Sequence, residues 1–545
     1  MIILFNKLKN IVPFKSPAFI ISCIISFFQT TIGLFTDKYI FSQEVCPSVK
    51  YIIYRLALLF ILTFIWYCVI RFIKKVKNKE KIYLCYLINF LFYFAVYSVV
   101  MLLIWPGHWV ADEKGIIESA VTLSLYSWQH IFTSLFYNFS LMIFPSPVII
   151  VVIQYTIISI IISFIVSNTY LKYKYGKKVL LLNIVFFLPS VIVNVFYPMR
   201  LILFAYLELL FFYLLYQNKD KKKFKNTTLL GLSVLNIVLA VWRTECLFMV
   251  IILPLFLFIK KVPGKKILAV FLLVISVSCS SVLLQNYFLK INGVKIKYSV
   301  TGIVRPFHKL LKEEYADNPK SQLISEISEY LNIEKAVSYE RGIDAFWGSD
   351  VYKKVDSDEK YKTMLKNFLS LLKKYPQTFI EERLLTFSET MCHWNENSEL
   401  IGVVRNGNLN LEVFNLNEYI NGKPINIELR KNVLQFLYAN TGNKAADFVF
   451  SLSYNLFIPL AFLFFLFIKS FIKRKRNWCC LIISGTLVIQ NFLIFLTAPE
   501  NFFMYYYPLV VCSYSLFALF VIKKTSKLKS HKFSFLTGGK NENKK

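Results

Sequence analysis

Residues 82–118 read IYLCYLINFLFYFAVYSVVMLLIWPGHWVADEKGIIE, and their character changes abruptly in the middle. About 20 apolar residues suffice for a helix to cross the hydrocarbon core of a bilayer, and the run from Ile82 to Trp105 has that length. Several charged residues then arrive together, namely Asp112, Glu113, Lys114 and Glu118. The stretch therefore predicts a membrane helix with an acidic pair at its lip.

Apolar runs of this kind recur along the whole chain. Its 545 residues are 56% hydrophobic, with a mean hydropathy of +0.52, and in lipid a helix satisfies its own backbone hydrogen bonds. We expect an all-α polytopic membrane protein with about twelve transmembrane helices, and the stretch 179–216 could also be one re-entrant pair. The predicted spans are 16–35, 51–73, 82–106, 147–167, 179–197, 200–216, 228–242, 246–259, 267–289, 449–468, 477–496 and 501–522.

The distribution of charge predicts how these spans are oriented. The formal net charge is +31, and the excess of Lys and Arg lies in connections after even-numbered spans, such as RFIKKVKNKEK (71–81), and in both tails. Lys-rich and Arg-rich loops stay on the cytoplasmic side. We therefore expect a multi-pass protein of the cell membrane with both termini cytoplasmic. The basic rim favours anionic lipid head groups, and this one-sided pattern argues against nucleic-acid binding.

The sequence divides into five regions. We expect 290–448 to pack over the outer ends of the spans rather than to form a large core of its own. Cys46 and Cys392 both fall on the outer side, and a disulfide between them is left open. The regions are a two-span unit at 1–75, a seven-span block at 82–289, a mostly helical external segment at 290–448, three spans within 449–522 and a basic cytoplasmic tail at 523–545.

The first large external loop, 107–146, carries its own helical pattern. The apolar residues that follow a helical spacing are Ile117, Val121, Leu125, Trp128, Phe132 and Leu135. The pattern predicts a helix lying on the outer membrane surface. Carboxylates are stabilised at a helix N-terminus by the helix dipole, so Asp112 and Glu113 have a purely structural explanation.

Four short stretches at the outer ends of spans carry the side chains that could do chemistry. Each histidine could instead have no function in chemistry and simply place its polar ring at the membrane interface. Arginine near the hydrocarbon edge is costly unless it is paired, so Arg243–Glu245 has a structural reading as an ion pair and a functional one as a phosphate holder. Glu208, in the middle of a span, could pack against Arg55 or Arg200. The stretches are His108 with the acidic pair, YSWQHIF with His130, YPMR with Arg200, and WRTE with Arg243 and Glu245.

Familiar nucleotide and hydrolase motifs are absent. The sequence contains no P-loop, no HExxH and no GxSxG. No pair of histidines has metal-ligand spacing, so no metal ligand is predicted, and no cofactor is certain. We therefore expect a substrate that reaches the outer face through the membrane.

The order of these stretches resembles the GT-C superfamily of membrane glycosyltransferases. It is most similar to bacterial proteins that resemble dolichyl-phosphate-mannose–protein mannosyltransferases. The matching features are the acidic Asp112 and Glu113 after an early span, the following YSWQHIF, the WRTEC around Arg243 where the family has R-x-E-G, and the aromatic-rich APENFFMYYYPL (498–509). Two features depart from the family. Leu201 follows Arg200 where an acidic residue is common, and two spans precede residue 82.

The resemblance implies a sugar donor linked to a polyprenyl phosphate. An acceptor hydroxyl loses a proton as it attacks the anomeric carbon, and a carboxylate at the membrane lip can act as general base. Asp112 is the first choice and Glu113 the second. Arg243 and Arg200 would bind the donor phosphate. His108, His130 and Glu245 are candidate substrate contacts. A divalent cation is left open, as is the acceptor, which could be a glycan, a lipid or a protein.

Two other functions fit the same pattern. A transporter or flippase of lipid-linked sugars would depend on a mid-span group such as Glu208. A polymerase of surface polysaccharide would also use external arginines and a large external segment. The sequence favours the transferase, because no pair of matching broken helices in two halves suggests transport.

Overall fold

The computed structural model describes most of the chain and is helical apart from one two-residue antiparallel pair, β1 (Phe414–Asn415) with β2 (Asn421–Gly422). The described residues are 16–42, 44–109, 111–126, 129–173, 176–221, 223–291, 301–338, 351, 358–390, 414–415, 421–438 and 441–537.

The helices fall into a membrane part, an external segment and a closing membrane part. Up to residue 291 they are α1 (Pro17–Thr36), α2 (Val49–Lys77), α3 (Lys81–Leu103), α4 (Ala111–Val121), α5 (Ile131–Ile143), α6 (Val148–Tyr173), α7 (Gly176–Phe187), α8 (Pro189–Val195), α9 (Arg200–Asn218), α10 (Asn226–Trp242), α11 (Ile252–Ile259) and α12 (Gly264–Ile291). After it they are α13 (Thr301–Asp317), α14 (Gln322–Ser328), α15 (Ile333–Ser338), α16 (Asp358–Lys374), α17 (Pro376–Thr390), α18 (Ile427–Leu437), α19 (Lys444–Ser451), α20 (Phe457–Ile472), α21 (Arg474–Thr497) and α22 (Tyr507–Thr537).

Among the described residues, nine helical segments are long and apolar enough to cross a membrane. They are α1, α2, α3, α6, α9, α12, the segment Lys444–Ile472, α21 and the segment Phe503–Lys524. The protein is therefore a multi-pass membrane protein by the length and composition of its helices. Helices α9 and α22 are the most buried, while α1, α2, α3 and α12 expose most of their apolar surface.

The remaining predicted spans take shorter or broken forms. The run predicted at 179–197 is a pair of helices bent by 60° between Phe187 and Pro189. Proline lacks a backbone N–H and disrupts a helix that runs through it, which accounts for the break. Counting the bent pair as one span gives up to ten. The runs at 228–242 and 246–259 become the short helices Asn226–Trp242 and Thr244–Ile259. Twelve crossings thus stay a prediction.

The first external loop contains two helices instead of the single predicted one. Helix α4 ends at Val121, and the backbone N–H of Ser124 donates to Ser119 O at 2.8 Å while that of Leu123 donates to Ala120 O at 2.9 Å. This is a Schellman ending, and Leu123 has the positive φ of 51° that it requires. The Ser124 hydroxyl donates to the same Ser119 carbonyl at 3.0 Å. These local hydrogen bonds therefore end the helix at Val121, although the apolar residues continue at helical spacing beyond it.

The two loop helices are also more buried than a surface helix would be. Ile116, Ile117 and Ala120 of α4 are fully buried in the main core. Helices α4 and α5 pack against each other, and α5 packs against α6. The loop is thus an integral layer of the helical bundle at the ends of its spans.

The external segment has a small hydrophobic core, which the sequence did not predict. Helices α13 to α17 enclose it, and its buried members include Val304, Phe307, Leu311, Ile327, Met364 and Leu371. The expected packing over the span ends is also present. Arg383 Nη1 of α17 donates to Ala498 O at 2.8 Å, just after α21, and Arg305 pairs with Glu500 at 3.3 Å.

Candidate active site

A cavity of about 280 Å³ lies where the membrane bundle meets the external segment. Five parts of the chain that are remote in sequence form its described walls: the residues before α5, the start of α9, the connection after α10, the start of α13, and the stretch from the end of α21 to α22. Its described walls are 199–201, 243–245, 301–303, Gln129, Thr497, Pro499, Met504 and Tyr505.

Arg243 is the most deeply placed cation of the cavity wall. Its side chain is 1% exposed, Nη2 donates to Glu245 Oε1 at 3.0 Å, and Nη1 donates to Tyr505 O at 3.4 Å. Arg243 lies at the cavity because α10 ends at Trp242 and the backbone of Arg243 is extended, with φ −127° and ψ 131°. The Trp242 indole N–H donates to Thr133 Oγ1 at 2.9 Å, which fixes this helix end against α5.

Arg200 supplies a second guanidinium to the same cavity. It is the first residue of α9, and its Nη1 donates to Trp242 O at 3.1 Å. A guanidinium carries five N–H donors in a planar fork that suits phosphate. The stretches YPMR and WRTE, which the sequence singled out separately, are therefore brought together at one site.

Glu245 is the only carboxylate among the described cavity walls. Burial raises the pKa of the Glu245 carboxyl, but the charge of Arg243, the hydrogen bonds that the carboxylate accepts and the charge of Arg200 together outweigh this and lower the pKa to about 2. A carboxylate that binds a proton so weakly is a poor general base near neutral pH. Glu245 therefore holds Arg243 in place and partly neutralises it, and two cations face one anion in the described walls.

Glu208 lies below this site and not beside the arginines that the sequence suggested. It is fully buried on α9, within electrostatic reach of Arg243, and Cys512 Sγ lies 4.0 Å from its Oε2. Arg55 instead forms an ion pair with Asp37 and donates to Met142 O at 3.0 Å. The expected packing of Glu208 against Arg55 or Arg200 is thus wrong, because each of these arginines has partners near its own helix end.

His130 lies beside the cavity but is not cationic near neutral pH. It precedes α5, is 7% exposed, and its Nδ1 accepts the Phe132 backbone N–H at 3.4 Å. Burial, and then the charge of Arg200, lower the pKa of the His130 imidazole to about 4. Its neighbour Gln129 lines the cavity. A neutral imidazole next to Arg200 can accept or donate a hydrogen bond, but it adds no charge for binding phosphate.

The connection after α3 together with the start of α4, residues 104–109 and 111–113, forms what we call the lip. Helix α18 of the external segment covers it. Arg430 of α18 donates through Nη1 to Ile104 O and, at 3.0 Å, to Trp105 O, and through Nη2 to Gly107 O at 3.1 Å. It is 2% exposed. A cation at a helix C-terminus satisfies carbonyls that the helix leaves without partners and is favoured by the helix dipole. Arg430 thus caps α3 from more than 300 residues away in the chain.

His108 and Glu113 belong to this closed lip. The Tyr438 hydroxyl lies 3.1 Å from His108 Nδ1, and the Tyr197 ring centroid lies 5.2 Å from that of His108. Glu113 is fully buried in α4. Neither residue is among the described walls of the cavity. The backbone of Asp112 belongs to α4, but its side chain lies outside the described residues, so its role as base stays a prediction.

Several residues of the site carried no recognisable sign in the sequence. Arg430 and Tyr438 lie in the long segment of mixed charge, and Gly302 approaches Thr497 so closely that a Cβ there would lie 3.0 Å from the Thr497 carbonyl oxygen. Such contacts join positions about 200 to 330 residues apart, so no local pattern marks them. The stretch 498–509 did stand out in the sequence, and its Pro499, Met504 and Tyr505 line the cavity.

In the described part of the chain, no three His, Cys, Asp or Glu side chains come together as a metal site would require. Cys392 lies outside the described residues, so the question of a Cys46–Cys392 disulfide stays open. Trp128 of the predicted loop helix also lies outside them. No family model matches the sequence, and no curated protein or solved structure matches it significantly.

Proposed function

We propose that this protein is a membrane glycosyltransferase that transfers a sugar from a polyprenyl-phosphate-linked donor to an acceptor on the outer face. The observation that carries this proposal is the pair Arg243 and Arg200 in the wall of one cavity at the ends of the spans. A lipid-linked phosphate presents its charge at this depth. The lysine-rich connections then lie in the cytoplasm, with both termini, and the cavity faces outward.

The proposed reaction needs a base, a leaving group and positive charge. The acceptor O–H gives its proton to the Asp112 carboxylate while its oxygen bonds to the anomeric carbon. The bond from that carbon to the phosphate oxygen breaks, and the lipid phosphate leaves with the electron pair. Arg243 and Arg200 stabilise the charge on that oxygen. Glu245 is a poor choice of base, because its carboxylate is bound to Arg243 at 3.0 Å and its pKa is lowered to about 2.

Substitution of three acidic residues tests this proposal in purified protein reconstituted in lipid. Asp112→Asn, Glu113→Gln and Glu208→Gln would be assayed for sugar release from a panel of polyprenyl-phosphate sugars, after equal folding and insertion are established. We expect wild type to turn over and Asp112→Asn to lose about 10²-fold to 10⁴-fold in rate, as removal of a general base does. Glu113→Gln, away from the described cavity walls, should retain activity if it remains folded.

Two results would redirect the proposal. Activity in Asp112→Asn together with its loss in Glu208→Gln would favour transport of a lipid-linked sugar. Products longer than one added unit would identify a polysaccharide polymerase, a function that also fits the arginine cavity. Wild-type protein with no turnover on any donor of the panel would count against the polyprenyl-phosphate donor.

A further inference from the structure

Helix α18 has three distinct faces, although a helix at the surface of a soluble protein needs only two. With 3.6 residues per turn, three groups of side chains point in directions roughly 120° apart. The buried group is Arg430, Leu434 and Leu437, the polar group is Glu428, Lys431 and Gln435, and the third group is Leu429, Val433 and Phe436.

The third group is apolar but is not covered by the rest of the described chain. Leu429 is 42% exposed and Phe436 is 47% exposed, and Val433 is half-buried between them. In water, an exposed apolar stripe of this kind costs free energy in proportion to its area. Lys431 and Glu428, on the polar face, are also exposed. The two exposed faces of one helix therefore suit two different surroundings.

The contacts of the buried face place α18 at the end of the membrane spans. Arg430 binds the carbonyls of residues 104, 105 and 107, directly after the spanning helix α3. At the other end of α18, the Tyr454 hydroxyl donates to Leu437 O at 2.8 Å. Tyr454 belongs to the candidate span Lys444–Ile472. Both ends of α18 are thus fixed to candidate spans, the first turn to the end of α3 and the last turn to Tyr454.

The apolar stripe continues without a break into that span. The Phe436 ring packs edge-on against Phe450, with centroids 4.5 Å apart. Around Phe450 in the chain, Phe448 and Val449 are each 60% exposed. These residues of α19 lead through the 3₁₀ turn Leu452–Tyr454 into α20. The exposed surface of α18 therefore joins the surface that the span presents to lipid.

We propose that α18 lies flat in the outer membrane interface, with its apolar stripe of Leu429, Val433 and Phe436 covered by acyl chains. The three faces then contact the protein, the lipid and the water. An amphipathic helix in this position buries its apolar side at the boundary of head groups and chains and keeps its polar side hydrated. This inference is independent of the glycosyltransferase proposal, since it rests on exposure and contacts alone.

Photolabelling of wild-type protein in vesicles tests this placement directly. The probe is a phosphatidylcholine carrying a diazirine in its acyl chain, in otherwise phosphatidylcholine vesicles, and mass spectrometry locates the adducts. We expect adducts on Leu429 or Phe436 and several-fold fewer on Lys431 and Glu428. Adducts on the polar face in equal number, or none on the apolar stripe while the spans are labelled, would overturn the proposal.

A matched pair of cysteine variants measures the same faces from the aqueous side. Phe436→Cys and Lys431→Cys would react with a membrane-impermeant maleimide, quantified at each site by peptide mapping so that the native cysteines do not interfere. In vesicles we expect Phe436→Cys to react several-fold more slowly than Lys431→Cys, and detergent extraction followed by unfolding should equalise them. Equal rates in folded protein in vesicles would overturn the proposal. Slow reaction at 436 without lipid adducts would point to a protein partner on this face and would also overturn it.

Discussion

The lip after α3 and the cavity between α9 and α10 both lie at the ends of spans, yet the buried arginines of the two regions have different surroundings. At the lip, Arg430 binds backbone carbonyls and Tyr438 contacts His108. Arg430 and Tyr438 both come from the external segment. At the cavity, Arg200 and Arg243 line about 280 Å³ of space. The lip contains the histidine and the acidic pair that stood out first in the sequence, whereas the cavity contains the space for a ligand.

The surroundings of a buried arginine indicate whether it stabilises the fold or binds a ligand. Arg430 has its guanidinium directed at three carbonyls at and just beyond the end of α3, so its charge is used within the fold. Arg243 is as deeply buried but borders open space, and it donates hydrogen bonds to Glu245 at 3.0 Å and to the Tyr505 carbonyl at 3.4 Å. We infer that the first arginine stabilises the structure and that the second binds substrate. Each prediction below tests one side of that contrast.

Among the changes that test this contrast between the two arginines, the largest effect is expected from Arg243→Gln. Loss of the guanidinium removes stabilisation of the phosphate in the transition state, so sugar transfer should fall about 100-fold in kcat/KM. Arg243→Lys should recover only part of this, because an ammonium lacks the planar fork. The matched control is Arg474→Gln, at an exposed arginine that begins α21. Unchanged transfer in a folded Arg243→Gln would remove the cavity from the mechanism.

Arg430→Ala should act on stability instead. Hydrogen bonds to a charged group contribute more than neutral ones, and the helix end would lose its cap, so we expect a loss of about 2–3 kcal/mol. Thermal unfolding in detergent, followed by tryptophan fluorescence, measures it. Turnover per folded molecule should stay close to wild type. A stable variant with much lower turnover would show that Arg430 itself takes part in the chemistry and does more than cap α3.

Acid should destabilise the protein partly through His130. Its native pKa of about 4 lies below the ordinary value of 6.5, so the unfolded state binds the proton more readily and stability falls as the pH drops from 6.5 toward 4. The share of His130 is about 1–2 kcal/mol between pH 7 and pH 5. The measurement is the difference between wild type and His130→Gln in unfolding at these two pH values, since His308 also has a lowered pKa of about 4. Parallel pH profiles would contradict the burial of a neutral imidazole.

The smallest effect is expected from Tyr438→Phe. It removes one hydroxyl 3.1 Å from His108 Nδ1, and a single hydrogen bond contributes about 1 kcal/mol. Thermal stability should fall by that amount while sugar transfer is unchanged. A large fall in transfer at constant stability would place His108 in the reaction and would weaken the contrast between the lip and the cavity.

Much of the fold could be predicted because spans are encoded locally. The run at 82–106 is α3, Lys81–Leu103, and the run at 16–35 is α1, Pro17–Thr36. A bilayer imposes a length and an apolar composition on each helix, so a single stretch is sufficient to identify one. The prediction of a single helix in the first external loop was wrong. The left-handed backbone of Leu123 ends α4, although the apolar spacing in the sequence continues beyond it.

The sequence by itself determined that the chain spans a membrane repeatedly, and it marked Arg200, Arg243 and Glu245 as unusual at span ends. Only the tertiary structure decided that these residues share one cavity, that His108 contacts Tyr438, and that Arg430 caps α3. The physical reason is the range of the interactions. Hydrophobic length and helix propensity act over one or a few turns of chain. A guanidinium hydrogen-bonds to whichever acceptors lie close in space, and their positions depend on how the intervening helices pack.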